Sequence, residues 1–363
     1  MKKLIAMFLA LAMIPALLSF AGAESADGPR TERVGMLSLL QQSEEETVNC
    51  IKTVILVADQ VKEQGYSENL LPAIGDSIDT AVVFQPVYYD TLDALIMGLT
   101  AGEVEIMNIY STTAAYLCAR NDDLVQTTVF KPLDDNADIF IRRAYTGLLC
   151  NDFAFMMTEG NEALRDEFNT AIAGIREDGT LEKLIEEHIE AAVAGKNINP
   201  VEMPEIDGAE TVRVAVTGSL PPMDYVAADG TPAGFNTALL AEISRRINKN
   251  IELVQVDCMG RAAALASNRV DAVFWTRTNS ESNRIAEMTE EEKKNLMQEV
   301  GNQLTEEQRD IVEQGRQLVD FADFGRADMP EGTVITDAYF SDMLVPVALK
   351  SFVEFLQSMS AAK

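Results

Sequence analysis

Short β-branched runs alternate along the chain with longer segments in which apolar residues recur every three or four positions. The runs predict strands, and the longer segments predict amphipathic helices. In the first block of the chain, strands are predicted at residues 33–37, 81–84 and 104–109, and helices at residues 91–100, from Ser111 onwards, 161–175 and 181–192. This alternation is typical of an α/β fold built on mainly parallel sheets.

A second block repeats the alternation after residues 194–210, a connector with Gly, Pro and little periodicity that is predicted to link two lobes. The predicted strands are residues 211–217, 251–256 and 270–275, and the predicted helices are residues 235–247 and 262–266. Open α/β sheets bind ligands at the carboxyl ends of their strands. Leu220–Met223 and Trp275–Thr278 follow such ends and are therefore candidate binding segments.

Residues 281–318 change in composition towards Glu, Lys, Gln and Leu. Thr289–Glu292 and Thr305–Gln308 both fit a capping box, in which a hydroxyl and the third-following acid or amide satisfy free amides at a helix start. We therefore predict a solvated helical insertion here. A further helix is predicted at residues 351–363, at the end of the chain.

The first 23 residues have the pattern of a secretory signal. Lys2 and Lys3 precede an apolar run that ends at Phe20, and the small residues Ala21–Ala23 follow. The alternative is a retained membrane anchor, since the run approaches the length that spans a bilayer. We expect an exported protein, periplasmic or extracellular, that is membrane-associated only if the signal is not cleaved.

Charge and length narrow the class further. The formal net charge is -29 over 363 residues, with 58 acidic side chains against 29 basic ones. A surface this acidic repels phosphate backbones and anionic headgroups, which argues against nucleic-acid or membrane-surface binding. The length exceeds that of one compact domain, so two lobes are expected.

The residue types needed for several kinds of catalysis are missing or scattered. The four cysteines lie far apart, which argues against a structural zinc site and leaves their pairing open. His188 is the one histidine, in an acidic helix, and no nucleophile elbow, phosphate loop or paired-histidine motif occurs. We predict a binding protein that is not an enzyme and carries no cofactor and no metal.

Three segments of the second block carry a resemblance to a known family. Arg213–Tyr225 runs into a Pro-Pro turn, Asp229–Asn236 contains Asp-Gly and then Gly-Phe-Asn, and Ala263–Val273 ends in Arg-Val-Asp-Ala-Val. Together they resemble the amino-acid-type (family 3) extracytoplasmic solute-binding proteins of ABC uptake systems. The resemblance implies a two-lobed, periplasmic-binding-protein type II-like fold that closes over a small solute and delivers it to permease membrane subunits. We expect a monomer.

The first block resembles the other lobe of the same family, in reversed order. Tyr89–Leu95, Leu99–Glu105 and Thr112–Tyr116 are similar to the second lobe of the family, and Phe168–Leu184 is similar to its closing helices. We interpret the order as a circular permutation, which surface termini and a flexible connector make physically mild. The rival explanation is two degenerate tandem copies. Two separate, unpaired half-modules would refute the permutation.

The predicted segments are a signal at 1–23, one lobe at 24–193, a linker at 194–210, the other lobe at 211–350 and a helix at 351–363.

The resemblance also implies roles for individual residues. Thr276 and Thr278 match positions that hold a ligand carboxylate, and Arg277 or Arg284 would supply the arginine. Tyr110 stands where the family has the acid that binds an α-amino group, and this departure weakens the case for a standard α-amino acid.

Three further residues are candidates from their places in the chain. Trp275, the only tryptophan, ends a predicted strand, where it would stack on a ring or a cation or else fill the core. Asp224 and Tyr225 follow the Pro-Pro turn, either lining a cleft or at a solvated loop edge. Two other functions stay open: a ligand-sensing or partner-docking module without transport, and a cyclohexadienyl-dehydratase-like enzyme on the same fold.

Overall fold

The structure is a computed structural model that describes residues 30–38, 82–126, 150–196, 200–227, 229–257, 260–278, 289, 291, 294, 295 and 332–361. The predicted signal segment, most of the predicted insertion, Arg284, Cys50 and Cys258 lie outside these residues. Within them the fold is α/β, which confirms the class predicted from the alternating pattern.

The described strands are β1 (Arg30–Leu37), β2 (Val82–Tyr89), β3 (Ile106–Tyr110), β4 (Leu124–Gln126), β5 (Cys150–Thr158), β6 (Thr211–Val216), β7 (Ser219–Leu220), β8 (Asp224–Val226), β9 (Pro232–Ala233), β10 (Asn250–Gln255), β11 (Ala272–Thr278), β12 (Thr333–Ile335) and β13 (Phe340–Leu349). The described helices are α1 (Leu92–Ala101), α2 (Ser111–Cys118), α3 (Glu162–Glu177), α4 (Thr180–Ile185), α5 (Ala191–Val193), α6 (Phe235–Ile247), α7 (Arg261–Ala266) and α8 (Lys350–Ala361). A π-helical turn, Glu186–Glu190, lies between α4 and α5.

Ten of these strands form one continuous sheet, which consists of two five-stranded parts with the same plan, called here the first sheet and the second sheet. The first sheet has the order β2–β1–β3–β13–β4 and the second has the order β10–β6–β11–β5–β12. In each sheet the first three strands are parallel and the fourth runs antiparallel to its neighbours. We call the first sheet with α1, α2 and α8 the first half, and the second sheet with α3 to α7 the second half.

The two halves are joined by the antiparallel strands β5 and β13. Residues Phe340–Met343 of β13 pair with β5, and the following residues pair with β3 and β4 in the other sheet. One continuous apolar core therefore includes buried side chains from both halves, among them Leu95, Phe153 and Leu239. The two halves are not separate, unpaired modules, but the permuted order relative to the family stays a prediction.

An arginine and an acid clamp the start of each sheet in the same way. In the first half, Glu105 accepts hydrogen bonds from the backbone N–H and the guanidinium of Arg33, both at 2.7 Å. In the second half, Asp271 accepts from the backbone N–H and the guanidinium of Arg213, both at 2.8 Å. Each clamp fixes the strand that carries the arginine beside the third strand of its sheet.

Most helices begin and end near the predicted residues. α6 has the predicted bounds, and it begins after Gly234, where a Cβ atom would lie 2.5 Å from the carbonyl oxygen of Met223. In α1, the Thr91 side chain accepts a hydrogen bond from the Ala94 N–H, and the helix ends at Gly102 in the left-handed region. None of the described helices is both long and apolar enough to cross a lipid bilayer.

Three predicted boundaries are wrong. The helix predicted at residues 181–192 is divided into α4, the π-helical turn and α5. The strand predicted at residues 81–84 continues to Tyr89, since residues 82–89 all pair with β1. The strand predicted at residues 270–275 starts at Ala272 and runs to Thr278, because its end pairs with β5 rather than facing solvent.

The described parts of the predicted linker, residues 194–196 and 200–210, contain neither helix nor strand. The side chain of Asn250 fixes the second part to the start of β10, accepting from the Ile206 N–H at 2.7 Å and donating to the Ile206 carbonyl at 3.0 Å. The predicted lobe and linker boundaries stay predictions. Among the cysteines, Cys118 is a free, half-buried thiol.

Candidate functional site

The carboxyl ends of β3 and β11, the third strands of the two sheets, meet where the two halves join. Tyr110 is the last residue of β3, and its ring packs edge to face against that of Trp275 in β11, with centroids 5.6 Å apart. Parallel α/β sheets place ligands at these ends of their strands. The strand-end rule pointed to Trp275–Thr278 and the family resemblance pointed to Tyr110, and the fold brings Tyr110 into contact with Trp275.

Four aromatic side chains pack together at this junction. Phe153, on the connecting strand β5, stacks on Trp275 with ring centroids 3.8 Å apart and meets Tyr110 edge to face at 4.9 Å. Phe340, on β13, also stacks on Trp275, with ring centroids 6.4 Å apart. Trp275 is only 1% exposed, which fits the core-filling alternative, and its contact with a ligand stays a prediction.

A bulge in β11 sets the position of Trp275. Between Val273 and Thr276 the register with β5 shifts, and Trp275 has φ 56, in the left-handed region that bulky residues rarely adopt. The Tyr339 hydroxyl accepts from the Trp275 N–H at 3.1 Å, and Arg261 donates to the Trp275 carbonyl at 3.0 Å. Strained backbone that is held in this way is concentrated at functional sites.

Several buried polar atoms at the junction have no hydrogen-bond partner in the described part of the chain. They are the Tyr110 hydroxyl, Thr113 Oγ1, Trp275 Nε1 and Thr276 Oγ1. The side-chain amide nitrogen and oxygen of Asn236, near the start of α6, are also buried without a partner. Thr276 is 4% exposed and Thr113 is fully buried. Buried polar groups are hydrogen-bonded as a rule, so a group of exceptions needs an explanation.

Arg277 lies beside two tyrosines at the edge of this group. Burial raises the pKa of Tyr110 and of Tyr88, and the positive charge of Arg277 acts in the opposite direction on both. The guanidinium is therefore near both hydroxyls. Arg277 is half-buried, and none of the described residues forms an ion pair with it.

Two buried carboxylates near the site are, in contrast, fully engaged. Asp342, on β13, accepts from the Ser111 and Thr112 hydroxyls, the Thr112 N–H at 3.2 Å and the Met343 N–H at 2.7 Å. Its carboxylate thus occupies the amino-terminal end of α2. Burial raises the pKa of Asp342, while the hydrogen bonds from Ser111 and Thr112 act to lower it.

Asp224 supports a turn and does not lie at a solvated loop edge. It is 2% exposed, and its Oδ2 accepts from the Thr217 N–H and hydroxyl, both at 2.7 Å, and from the Gly218 N–H at 2.9 Å. Burial raises the pKa of Asp224, and these hydrogen bonds act against the rise. Its predicted ligand contact stays a prediction.

Tyr225, the next residue, is half-buried. Burial raises its pKa, with the charges of Tyr116 on α2 and of Arg120 just after α2 as further influences. The Arg120 guanidinium lies over the Tyr116 ring, 3.8 Å from its centroid. The charges of Tyr116 and Arg120, in the first half, therefore act on Tyr225, which belongs to the second.

The remaining predicted site residues are only partly described. Thr278 is the last residue of β11 and pairs with Asp152 on β5, but its side chain lies outside the described residues, as does all of Arg284. Sequence reasoning missed Phe153, Phe340 and Asp342 as members of the site.

A family comparison decides the class. The chain matches the model for bacterial extracellular solute-binding proteins, family 3, over residues 54–191 and 212–313, which together exceed half its length. The chain belongs to this family. The predicted resemblance and the periplasmic-binding-protein type II-like fold are confirmed. As a member, the protein is a solute-binding protein with a small-molecule ligand and not an enzyme.

Comparisons with solved structures give distant similarities. A ligand-binding component of an ABC-type import system from Staphylococcus aureus is 8% identical, with a TM-score of 0.36, covering 91% of this chain and 70% of that one. An alkanesulfonate-binding protein from Xanthomonas axonopodis pv. citri is 9% identical, with a TM-score of 0.32 and coverage of 93% and 71%. An ancestral arginine-binding protein is 13% identical, with a TM-score of 0.32 and coverage of 92% and 90%. A search of curated protein sequences finds no match.

The described part of the chain has no site for the other kinds of chemistry considered, histidine catalysis and metal binding. His188 is half-buried in the π-helical turn, and burial lowers its pKa. No group of three or more His, Cys, Asp or Glu side chains among the described residues is placed to hold a metal ion.

Proposed function

We propose that the protein binds an amino acid or a related polar molecule between its two halves, at the facing ends of β3 and β11. The observation that carries this proposal is the group of buried, unpartnered polar atoms beside Arg277. A solute there would supply partners for the Tyr110 and Thr276 hydroxyls and a counter-charge for Arg277. The cost of leaving these groups unpaired would then be recovered on binding.

Binding would be coupled to the relative position of the halves. They are linked by β5 and β13, and each half contributes groups to the junction: Tyr110 and Thr113 from the first, and Trp275 to Arg277 from the second. A solute that contacts both halves stabilises their closed arrangement over an open one and so shifts the population towards it.

Delivery of the solute to the membrane subunits of an ABC permease completes the proposal. It is supported by the family, whose members are extracellular solute-binding proteins. A closed arrangement of the two halves would present a surface composed of both. We expect the protein to act outside the cytoplasm as a monomer.

The only tryptophan of the chain lies in the proposed site, so its fluorescence reports on this place alone. Titration of the purified protein with amino acids, polyamines and small organic acids should give a saturable change in emission for a true ligand. The same ligand should raise the melting temperature, since a ligand at a hundred times its Kd stabilises the folded state by about 2.7 kcal/mol. A broad panel without any fluorescence or thermal response would refute the proposal.

A further inference from the structure

The polar groups of the site differ in kind from those that a zwitterion needs. We propose that the solute is a small organic anion with an oxyanion headgroup and no ammonium group, and not an α-amino acid. This inference rests on the proposed function and narrows its ligand class.

The unpartnered groups on Tyr110, Trp275 and Thr276, together with the Arg277 guanidinium, can all donate hydrogen bonds. Trp275 Nε1 and the Arg277 guanidinium can only donate, and the hydroxyls of Tyr110 and Thr276 are free to do so. Arg261, whose guanidinium donates to the Phe274 and Trp275 carbonyls, adds a second positive charge next to Trp275. Donors and positive charges together favour a ligand group rich in acceptors, which a carboxylate or a sulfonate provides.

An ammonium group would require an acidic acceptor that is free, and among the described residues the two buried carboxylates whose charges act on the aromatic residues, Asp342 and Asp224, are already engaged. The charge of Asp342 reaches Tyr110, and that of Asp224 reaches Tyr339. Asp342 accepts four hydrogen bonds and Asp224 accepts three, all from groups of this chain. Binding an ammonium there would mean breaking these bonds in a buried place.

A third carboxylate, on the connecting strand, is engaged as well. Asp152 accepts from the Ser341 hydroxyl at 2.5 Å, across the pair of strands that joins the halves. At the carboxyl end of β3, the side chain is the neutral phenol of Tyr110. Its hydroxyl is buried and unpartnered, so it can donate to an oxyanion but offers no charge to an ammonium group.

The ligand class can be tested with matched pairs that differ in the amino group. Alanine and propionate, phenylalanine and 3-phenylpropionate, and taurine and ethanesulfonate are titrated into the full-length mature protein, with Trp275 fluorescence and calorimetry as readouts. In the pair that binds most tightly, we expect the anion to bind at least about tenfold more tightly than the amino compound, equivalent to about 1.4 kcal/mol. Tighter binding of the amino compound would overturn the inference and leave the proposed function intact. If no member of any pair, and no solute of the broad panel, binds, the proposed function itself fails.

Two isosteric variants test whether the unpartnered hydroxyls exist for the ligand. Thr276→Val removes a buried hydroxyl that has no partner, so the ligand-free melting temperature should stay the same or rise while the Kd for the anion increases about tenfold. Thr237→Val is the matched control, because the Thr237 hydroxyl is equally buried but donates to the Ala233 carbonyl at 3.1 Å. The control should melt at a lower temperature and keep its Kd. A Thr276→Val protein that behaves like the control would contradict the inference.

Discussion

The two halves of the molecule share a scaffold and differ at the strand ends that face each other. Both sheets have three parallel strands followed by an antiparallel one, and both start with an arginine held by an acid, Arg33 with Glu105 and Arg213 with Asp271. In both clamps the acid lies just before the third strand, and its backbone N–H donates a hydrogen bond to the backbone carbonyl of the arginine. This shared plan places the third strands of the two sheets in corresponding positions.

At their carboxyl ends the third strands diverge. β3 ends at Tyr110 and is followed directly by α2, whose first residues donate hydrogen bonds to the Asp342 carboxylate. β11 instead bulges at Trp275 and extends to Thr278, where it pairs with β5. The common parts stabilise the halves, and the parts that differ carry the unpartnered donors. Substitutions in the two classes should therefore affect different measurements.

The largest stability effect is expected where the halves are joined by aromatic packing. Phe153→Ala removes a fully buried ring that stacks on Trp275, and the loss of contacts with the cavity left behind should cost about 3–5 kcal/mol. Urea unfolding measures this loss. Phe355→Ala, at a ring that is 55% exposed, is the control and should change little. Equal losses in the two variants would show that the junction is not part of a continuous core.

The next effect separates binding from stability. Arg277→Met should weaken binding of an anionic solute by about 1.5–3 kcal/mol, because a charge-assisted hydrogen bond is lost, and should change the urea midpoint little. Calorimetry gives the Kd. Arg269→Met, at an exposed arginine that follows α7, serves as control. An unchanged affinity in Arg277→Met would remove Arg277 from the site.

The shared clamps give a smaller, matched pair of effects. Asp271→Asn and Glu105→Gln each weaken the interaction with an arginine, so both should lower the free energy of unfolding by less than Phe153→Ala does. Neither should change the Kd, since the clamps lie at the opposite ends of the sheets from the site. A loss of affinity in one variant alone would break the correspondence between the halves.

The smallest effect concerns pH. Burial raises the pKa of Asp342 above its usual 3.8, so its contribution to stability is present below that pH and is lost as the pH rises through the folded-state pKa. Asp342→Asn should therefore flatten the decline of unfolding free energy from about pH 4 upwards. Urea unfolding across this range tests it, with Glu182→Gln at an exposed carboxylate as control. A variant profile with the wild-type slope would contradict the assignment.

Local patterns predicted much of this fold. The apolar spacing of α6 and the β-branched residues of β6 predict these elements well, because each pattern is local to its own element. The rule for parallel sheets also pointed to Trp275–Thr278. The strands β5 and β13 were not predicted, since their pairing joins residues nearly two hundred positions apart.

The candidate site was less predictable for a related reason. The bulge at Trp275 arises from the pairing of β11 with β5, and no glycine marks it in the sequence. The engagement of Asp224 by Thr217 and Gly218 depends on a turn whose geometry a residue pattern does not specify. Whether a hydroxyl such as that of Thr276 has a partner is decided by tertiary packing alone.

A crystal structure with the tightest-binding solute of the panel tests the central claim most directly. The account predicts the solute at the junction of the halves, with its oxyanion within hydrogen-bond distance of Arg277 and of the Tyr110 or Thr276 hydroxyl. A solute bound elsewhere, with these groups still unpartnered, would contradict it.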